Sequence, residues 1–161
     1  MRWLGSILAL LVALLAQTAL GQLAPAQARL LDLFLLVVVY CGLVFGESHG
    51  MLVGAAAGWI QDSLAGGSVV GISGLSKVIV GFGVGVAGAR FLVGGGAQRL
   101  LVVFVASLAD ALLVERLAGL FELPLGEIGY LDLLARAVVT AAVGAALYEL
   151  LERRLLREAR P

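Results

Sequence analysis

Charged side chains interrupt otherwise apolar stretches at four positions: Asp62, Lys77, Asp110 and Arg136. A charge at the centre of a bilayer costs about 2.5–3.5 kcal/mol on insertion scales, so it needs a partner or water. Two acids and two bases form a neutral set, and Gln61 and Ser73 could complete the hydrogen bonds. The set predicts ion pairs between helices. They would form either a buried network that fixes helix register, or a site for a ligand or a partner.

Catalytic and metal sites are weakly supported. The segment Gly71–Gly74 reads GISG and matches the GxSG string of rhomboid intramembrane proteases, but Ser73 would need a histidine within hydrogen-bond reach. His49 is the only histidine, and we expect it in a turn at the opposite face of the membrane. Glu47 and His49 are two possible metal ligands in that turn, which is a weak signal. The sequence therefore predicts no catalytic residues, no metal site and no cofactor.

The amino-acid composition indicates that these charges lie in a lipid bilayer rather than in water. Of 161 residues, 61% are hydrophobic and 14% are charged, against about 45–50% and 25% in soluble domains. A chain of this length cannot hide that much apolar surface from water. Eleven basic and eleven acidic residues cancel, which disfavours a nucleic-acid partner. The chain is expected to be an integral membrane domain whose main contact is the lipid bilayer.

Six apolar segments predict an all-α polytopic membrane protein, a compact bundle of six transmembrane helices, because backbone amides in lipid must be satisfied internally. The segments are Trp3–Leu23, Leu31–Gly46, Gly50–Ala65, Ile72–Leu92, Gln98–Leu120 and Leu131–Leu151. The second opens with Asp32, and the turn GESHG separates it from the third. We expect a transmembrane domain over residues 1–152 and a charged cytoplasmic tail over residues 153–161.

The distribution of arginine and lysine predicts the orientation. Six spans place both termini on one side, which carries seven arginines against at most four basic residues on the other. This bias predicts cytoplasmic termini, and it places all four intramembrane charges in the extracytoplasmic half. The tail arginines Arg153, Arg154 and Arg157 would contact anionic lipid or a cytoplasmic partner.

Glycines recur at helical spacing in two neighbouring segments. The ridges comprise Gly50, Gly54 and Gly58 in the third segment and Gly81 and Gly85 in the fourth. Small residues four apart let helix backbones approach closely. The ridges predict either packing inside the bundle or a docking face for a partner helix.

The run GMLVGAAAGWIQDSLAGGSVVGISGLSKVIVGFGVGVAG, residues 50–88, resembles the MreD family of rod shape-determining membrane proteins of bacteria. The resembling features are a glycine-ridged helix that ends in an acid (Asp62), a glycine loop, and a helix with further glycines. Arg2, Gln17 and Asp32 also fit. The resemblance implies a non-enzymatic scaffold in the inner (cytoplasmic) membrane. It also implies an MreC-like single-span partner, and association with the MreB filament and with RodA and its penicillin-binding protein in peptidoglycan synthesis.

An alternative function is the substrate-binding subunit of an energy-coupling-factor vitamin transporter, which has a similar size and span number. Ala9 and Ala13 form the small-residue pair that such subunits use to contact their coupling protein. A transporter subunit needs a concave polar pocket of roughly 300 Å³ or more. Trp59, Phe82 and Tyr130 are the aromatic residues that could line it.

Overall fold

The computed structural model describes residues 2–65, 71–90, 96–121 and 130–158, and all regular structure in these ranges is α-helical. The helices are α1 (Arg2–Leu23), α2 (Pro25–Leu30), α3 (Leu33–Phe45), α4 (Glu47–Ala65), α5 (Ile72–Arg90), α6 (Gly96–Leu120) and α7 (Tyr130–Glu158). The predicted all-α class is therefore confirmed.

Three stretches of the described chain are long and apolar enough to cross a membrane: Trp3–Leu23, Pro25–Phe45 and Ile72–Arg90. The other long helices, α4, α6 and α7, have a lower apolar content because charged residues interrupt them, among them Asp62, Asp110 and Arg136. The count of six spans stays a prediction.

The second predicted segment begins later than expected. Helix α3 starts at Leu33, and Asp32 is its N-cap, with a carboxylate that accepts a hydrogen bond from the Leu35 N–H. The segment before it contains the separate short helix α2, which starts at Pro25, because proline suits a first helical turn. With 13 residues, α3 is only about 20 Å long, so Asp32 lies well inside the bundle.

The predicted GESHG turn is reduced to one residue. Gly46 has a φ of 89°, a left-handed backbone that favours glycine, and its N–H donates to the Gly42 carbonyl. Helix α4 then begins at once with Glu47, so Ser48 and His49 are helical.

Helices α4 and α5 pack backbone to backbone through the glycine ridges. A Cβ atom at Gly54 would overlap the Lys77 carbonyl oxygen, and one at Gly58 would overlap the Gly74 backbone. A Cβ at Gly50 would lie 2.5 Å from the Gly81 carbonyl oxygen. The ridges thus form an internal contact that brings Lys77 of α5 toward the centre of the bundle.

Helix α3 is the central element. Phe34 and Val38 on one side pack with residues of α1 and α4, and Leu35 and Val39 on the other side pack with residues of α5, α6 and α7. These four side chains are at most 1% exposed. A short helix packed between α1 and α4 on one side and α5, α6 and α7 on the other places its N-terminal end, and Asp32 with it, among the surrounding helices.

Candidate functional site: a buried charge cluster

The centre of the site is a lysine held between two carboxylates. Lys77 Nζ lies 2.9 Å from Asp32 Oδ2 and 3.1 Å from Asp110 Oδ2. The three residues are between 0% and 2% exposed. Lys77 is positioned by the close approach of α5 to α4, Asp32 by the N-terminus of α3, and Asp110 by the middle of α6. The ammonium group therefore connects three helices within an apolar interior.

Arg136 of α7 completes the cluster. Its Nη2 lies 2.9 Å from Asp32 Oδ2 and 3.8 Å from Asp110 Oδ2. The arginine side chain is 27% exposed, unlike the other three. Asp32, Lys77, Asp110 and Arg136, called the charge cluster below, carry two negative and two positive charges.

Two neutral side chains and one backbone N–H donate further hydrogen bonds to the carboxylates of Asp32 and Asp110. Ser76 Oγ donates to Asp110 Oδ1 at 2.7 Å, and Gln61 Nε2 donates to Asp32 Oδ2 at 3.3 Å. The Leu35 N–H donates to Asp32 Oδ1 at 2.9 Å. Through Gln61 the cluster also reaches α4. Buried ionic groups are tolerated when they are both paired and hydrogen-bonded, and this arrangement meets both conditions.

The geometry of the charge cluster favours a structural role, in which ion pairs hold helices together, over a role in proton transfer. All four carboxylate oxygens accept hydrogen bonds from the donors named above, so neither aspartate is a free general base. Removal of one member would leave an uncompensated charge in a region of low dielectric constant. The charge cluster therefore joins α3, α5, α6 and α7 through ion pairs.

Asp62, which the sequence suggested as a member of this network, lies at the N-terminus of α5 instead. Its Oδ2 accepts a hydrogen bond from the Gly71 N–H at 2.7 Å, and its Oδ1 accepts from the Ser73 N–H at 3.3 Å. The first N–H groups of a helix lack internal partners and favour negative charge. The C-terminal part of α4 brings Asp62 to these donors, so its carboxylate acts as a helix cap supplied by a neighbouring helix.

Asp62→Ala is expected to destabilise the folded protein by about 1 kcal/mol, which is the typical loss for a capping side chain. Thermal unfolding of the purified protein in detergent measures this loss. Ser63→Ala is the matched control, because the Ser63 hydroxyl is exposed and bonds only to the carbonyl of Trp59 one turn earlier. A loss as large as that for a charge-cluster variant would show that Asp62 does more than cap α5.

His49 is at the opposite end of the α4–α5 pair from Ser73. Its Nε2 lies 2.7 Å from Ser6 Oγ of α1, and its ring packs against Trp3 with a centroid distance of 4.1 Å. Ser73 instead lies at the first turn of α5, beside Asp62. The expected separation of Ser73 from the only histidine therefore holds, although His49 belongs to a helix rather than to a turn.

The other predicted site residues divide by location. Gly50, Gly54, Gly58, Gly81 and Gly85 all lie at the α4–α5 contact. Arg153, Arg154 and Arg157 lie in the last turns of α7, and their side chains are outside the described part of the structure. Trp59 is 67% exposed and Phe82 is 45% exposed, so neither side chain points into the bundle to line a pocket. The Tyr130 side chain is also outside the described residues.

Asp32 is the residue whose role the sequence did not reveal. It was expected only as the start of a helix, yet three side chains donate to its Oδ2. It is the only acidic residue among the first 46. An acid directly before a run of apolar residues was the available signal, although Arg29, three residues earlier, offered a local partner for its charge in the sequence.

The family model described as rod shape-determining protein MreD matches residues 1–130. This range contains Asp32, Lys77 and Asp110, and it ends where α7 begins, so Arg136 lies beyond it. No curated protein matches the chain, and no solved structure matches it; neither comparison confirms the similarity to vitamin-transporter subunits.

Proposed function

The chain belongs to the MreD family of rod shape-determining membrane proteins, and from this membership we propose that it is a non-enzymatic scaffold of the bacterial cell-elongation machinery. The family implies a role in determining rod shape. The proposed partner is an MreC-like protein with a single span. The proposed wider assembly contains the MreB filament and RodA with its penicillin-binding protein, and the scaffold would control peptidoglycan synthesis through it.

The observation that carries the proposal is the family match over residues 1–130. The charge cluster is compatible with it, because its carboxylates are committed to lysine and arginine rather than open to a substrate. A polytopic protein whose buried charges fix helix positions can present the same outer surface to a partner at all times. That property suits a scaffold.

The proposed location is the inner membrane, with both termini in the cytoplasm. The excess of arginine on the side of the termini supports this orientation. Gly5 near the start of α1 and Leu147 in the second half of α7 line the same cavity, which supports a common side for the first turn of α1 and the C-terminal part of α7. The arginines of the last turns of α7 would then face the cytoplasmic leaflet or a cytoplasmic partner.

Co-purification from native membranes tests the partnership. The tagged full chain is expected to recover a single-span protein with a large extracytoplasmic domain, and a tagged unrelated membrane protein of similar size should not. Cells that lack the chain should lose rod shape and regain it on complementation. Normal rods without the chain, or recovery of ATPases with a bound small molecule, would contradict the proposal.

Labelling of single cysteines tests the orientation. The Cys41→Ser variant provides a background without thiols, since Cys41 is the only cysteine. A cysteine introduced at Pro161 is expected to react with a membrane-impermeant maleimide only after the cells are opened. Reaction in intact cells would place the C-terminus outside.

A further inference from the structure

An apolar slot of about 530 Å³ lies between α1 and α7. Ala9, Ala13 and Ala16 line the wall on α1, Leu36 and Val37 of α3 form the floor, and Gly144 lies on the wall of α7. Among the lining residues only Tyr40 of α3 carries a polar side-chain group, its hydroxyl. The slot is distinct from the charge cluster, whose four residues do not line it.

Small residues create the slot. α7 is close to α3 at Gly144, where a Cβ atom would lie 2.6 Å from Leu36 Cδ2. On the other side of α3, α1 presents alanines toward the gap. Within the described residues α1 and α7 therefore do not pack against each other, although both pack against α3.

Helix α2 bridges α1 and α7 beyond one end of the slot, because it packs against both helices, although none of its residues lines the slot. Gln17 Nε2 of α1 donates to the carbonyls of Ala28 and Leu31, and Thr140 Oγ1 of α7 donates to the carbonyl of Leu30. These bonds lie directly beyond Ala16 and Gly144. A helix that crosses the whole membrane cannot pass along a slot that ends at α2, whereas a narrow flexible chain can enter from the other end.

The open end lies beside Gly5 in the first turn of α1 and Leu147 in the second half of α7. Arg2 stands at the first turn of α1, and Arg153 and Arg154 stand one to two turns beyond Leu147 on α7. The helices that form the two walls therefore both carry arginines beyond the open end. Arginine at a membrane surface attracts anionic headgroups.

We propose that the slot binds one anionic phospholipid, with an acyl chain between α1 and α7 and a headgroup phosphate at the arginine-bearing helix ends. Water is a poor occupant, because a bound water needs two to four polar partners, and an empty apolar void forfeits packing. Lipid chains surround the protein and match the lining in polarity. In the proposed orientation the lipid comes from the cytoplasmic leaflet. The proposal adds a ligand that the scaffold role does not require.

Native mass spectrometry of the full chain, extracted in mild detergent and supplied with phosphatidylglycerol or phosphatidylcholine, tests this proposal. The unmodified protein should retain one phosphatidylglycerol. Ala9→Phe fills the slot and is expected to lower the retained fraction at least tenfold. Ala19→Phe is the matched control, because Ala19 lies on α1, is exposed and does not line the slot; it should retain the lipid.

The headgroup is tested with the variant Arg153→Gln/Arg154→Gln, which should lose the preference for phosphatidylglycerol over phosphatidylcholine. Arg116→Gln, on an exposed residue of α6, should keep it. If Ala9→Phe is not monodisperse, Ala16→Phe fills the same slot from a more exposed position. Undiminished lipid retention in a folded slot variant would overturn the proposal. Loss of a co-purifying protein without loss of lipid would also overturn it, in favour of a partner segment in the slot.

Discussion

Lys77→Met is expected to destabilise the folded protein by about 3–5 kcal/mol, the usual result of removing one partner from a buried ionic group. Methionine keeps an unbranched apolar chain that is one atom shorter than lysine and removes the charge. Asp32 and Asp110 would then be two buried carboxylates with only Arg136 to compensate them, and Arg136 lies 3.8 Å from Asp110. The loss arises from stranded charge rather than from lost packing.

Two further variants separate these causes. Arg116→Met removes a positive charge from an exposed position on α6 and should change stability by less than about 0.5 kcal/mol. Lys77→Met/Asp110→Asn removes the stranded carboxylate and leaves the pair Asp32–Arg136, so it should recover part of the loss. Thermal or denaturant unfolding in detergent measures all three. If Lys77→Met unfolds at the same midpoint as Arg116→Met, the charge cluster does not hold the helices.

Gly54→Ala and Gly83→Ala are expected to change stability in opposite directions. At Gly54 a single methyl group would overlap the Lys77 carbonyl oxygen, so α4 and α5 would have to separate. Overpacking of this kind costs about 1–3 kcal/mol or more. At Gly83, which lies on α5, the added group meets nothing within 4 Å apart from the nearby backbone of its own helix, and alanine is favoured over glycine in a helix by about 1 kcal/mol.

Unfolding midpoints of the two alanine variants and of the unmodified protein provide the measurement. The Gly54 variant should also weaken the charge cluster, because the contact at Lys77 positions the backbone that carries the ammonium group. Combination of Gly54→Ala with Lys77→Met should therefore be less destabilising than the sum of the single changes. Equal effects of Gly54→Ala and Gly83→Ala would show that the ridge does not set the distance between α4 and α5.

The sequence predicted those features that depend on local spacing. Glycines four residues apart predicted close helix contacts, and the structure shows that they serve the α4–α5 contact within the chain. Lys77, Asp110 and Arg136 were expected together because charges in apolar segments require partners. Both inferences need only the helical period and the penalty for buried charge.

The positions of Asp32 and Asp62 depend on where helices α3 and α4 begin and end. Asp32 joins the cluster because α3 begins inside the bundle after the separate helix α2, and Asp62 leaves it because the end of α4 reaches the first turn of α5. Neither geometry follows from hydropathy, which treats both acids alike. His49 was assigned to a turn for a similar reason, since a one-residue turn at Gly46 leaves no polar segment between two helices.

The balance of two acids and two bases in the bundle has an electrical consequence. A unit charge moved across a potential of 100 mV changes its energy by about 2.3 kcal/mol. A single unpaired charge in the bundle would therefore make the conformation depend on the membrane voltage. A neutral group of four has no net charge for the field to drive across the membrane, and a uniform field exerts only a torque on its dipole. The arrangement of these helices should therefore stay the same when the membrane voltage rises or collapses.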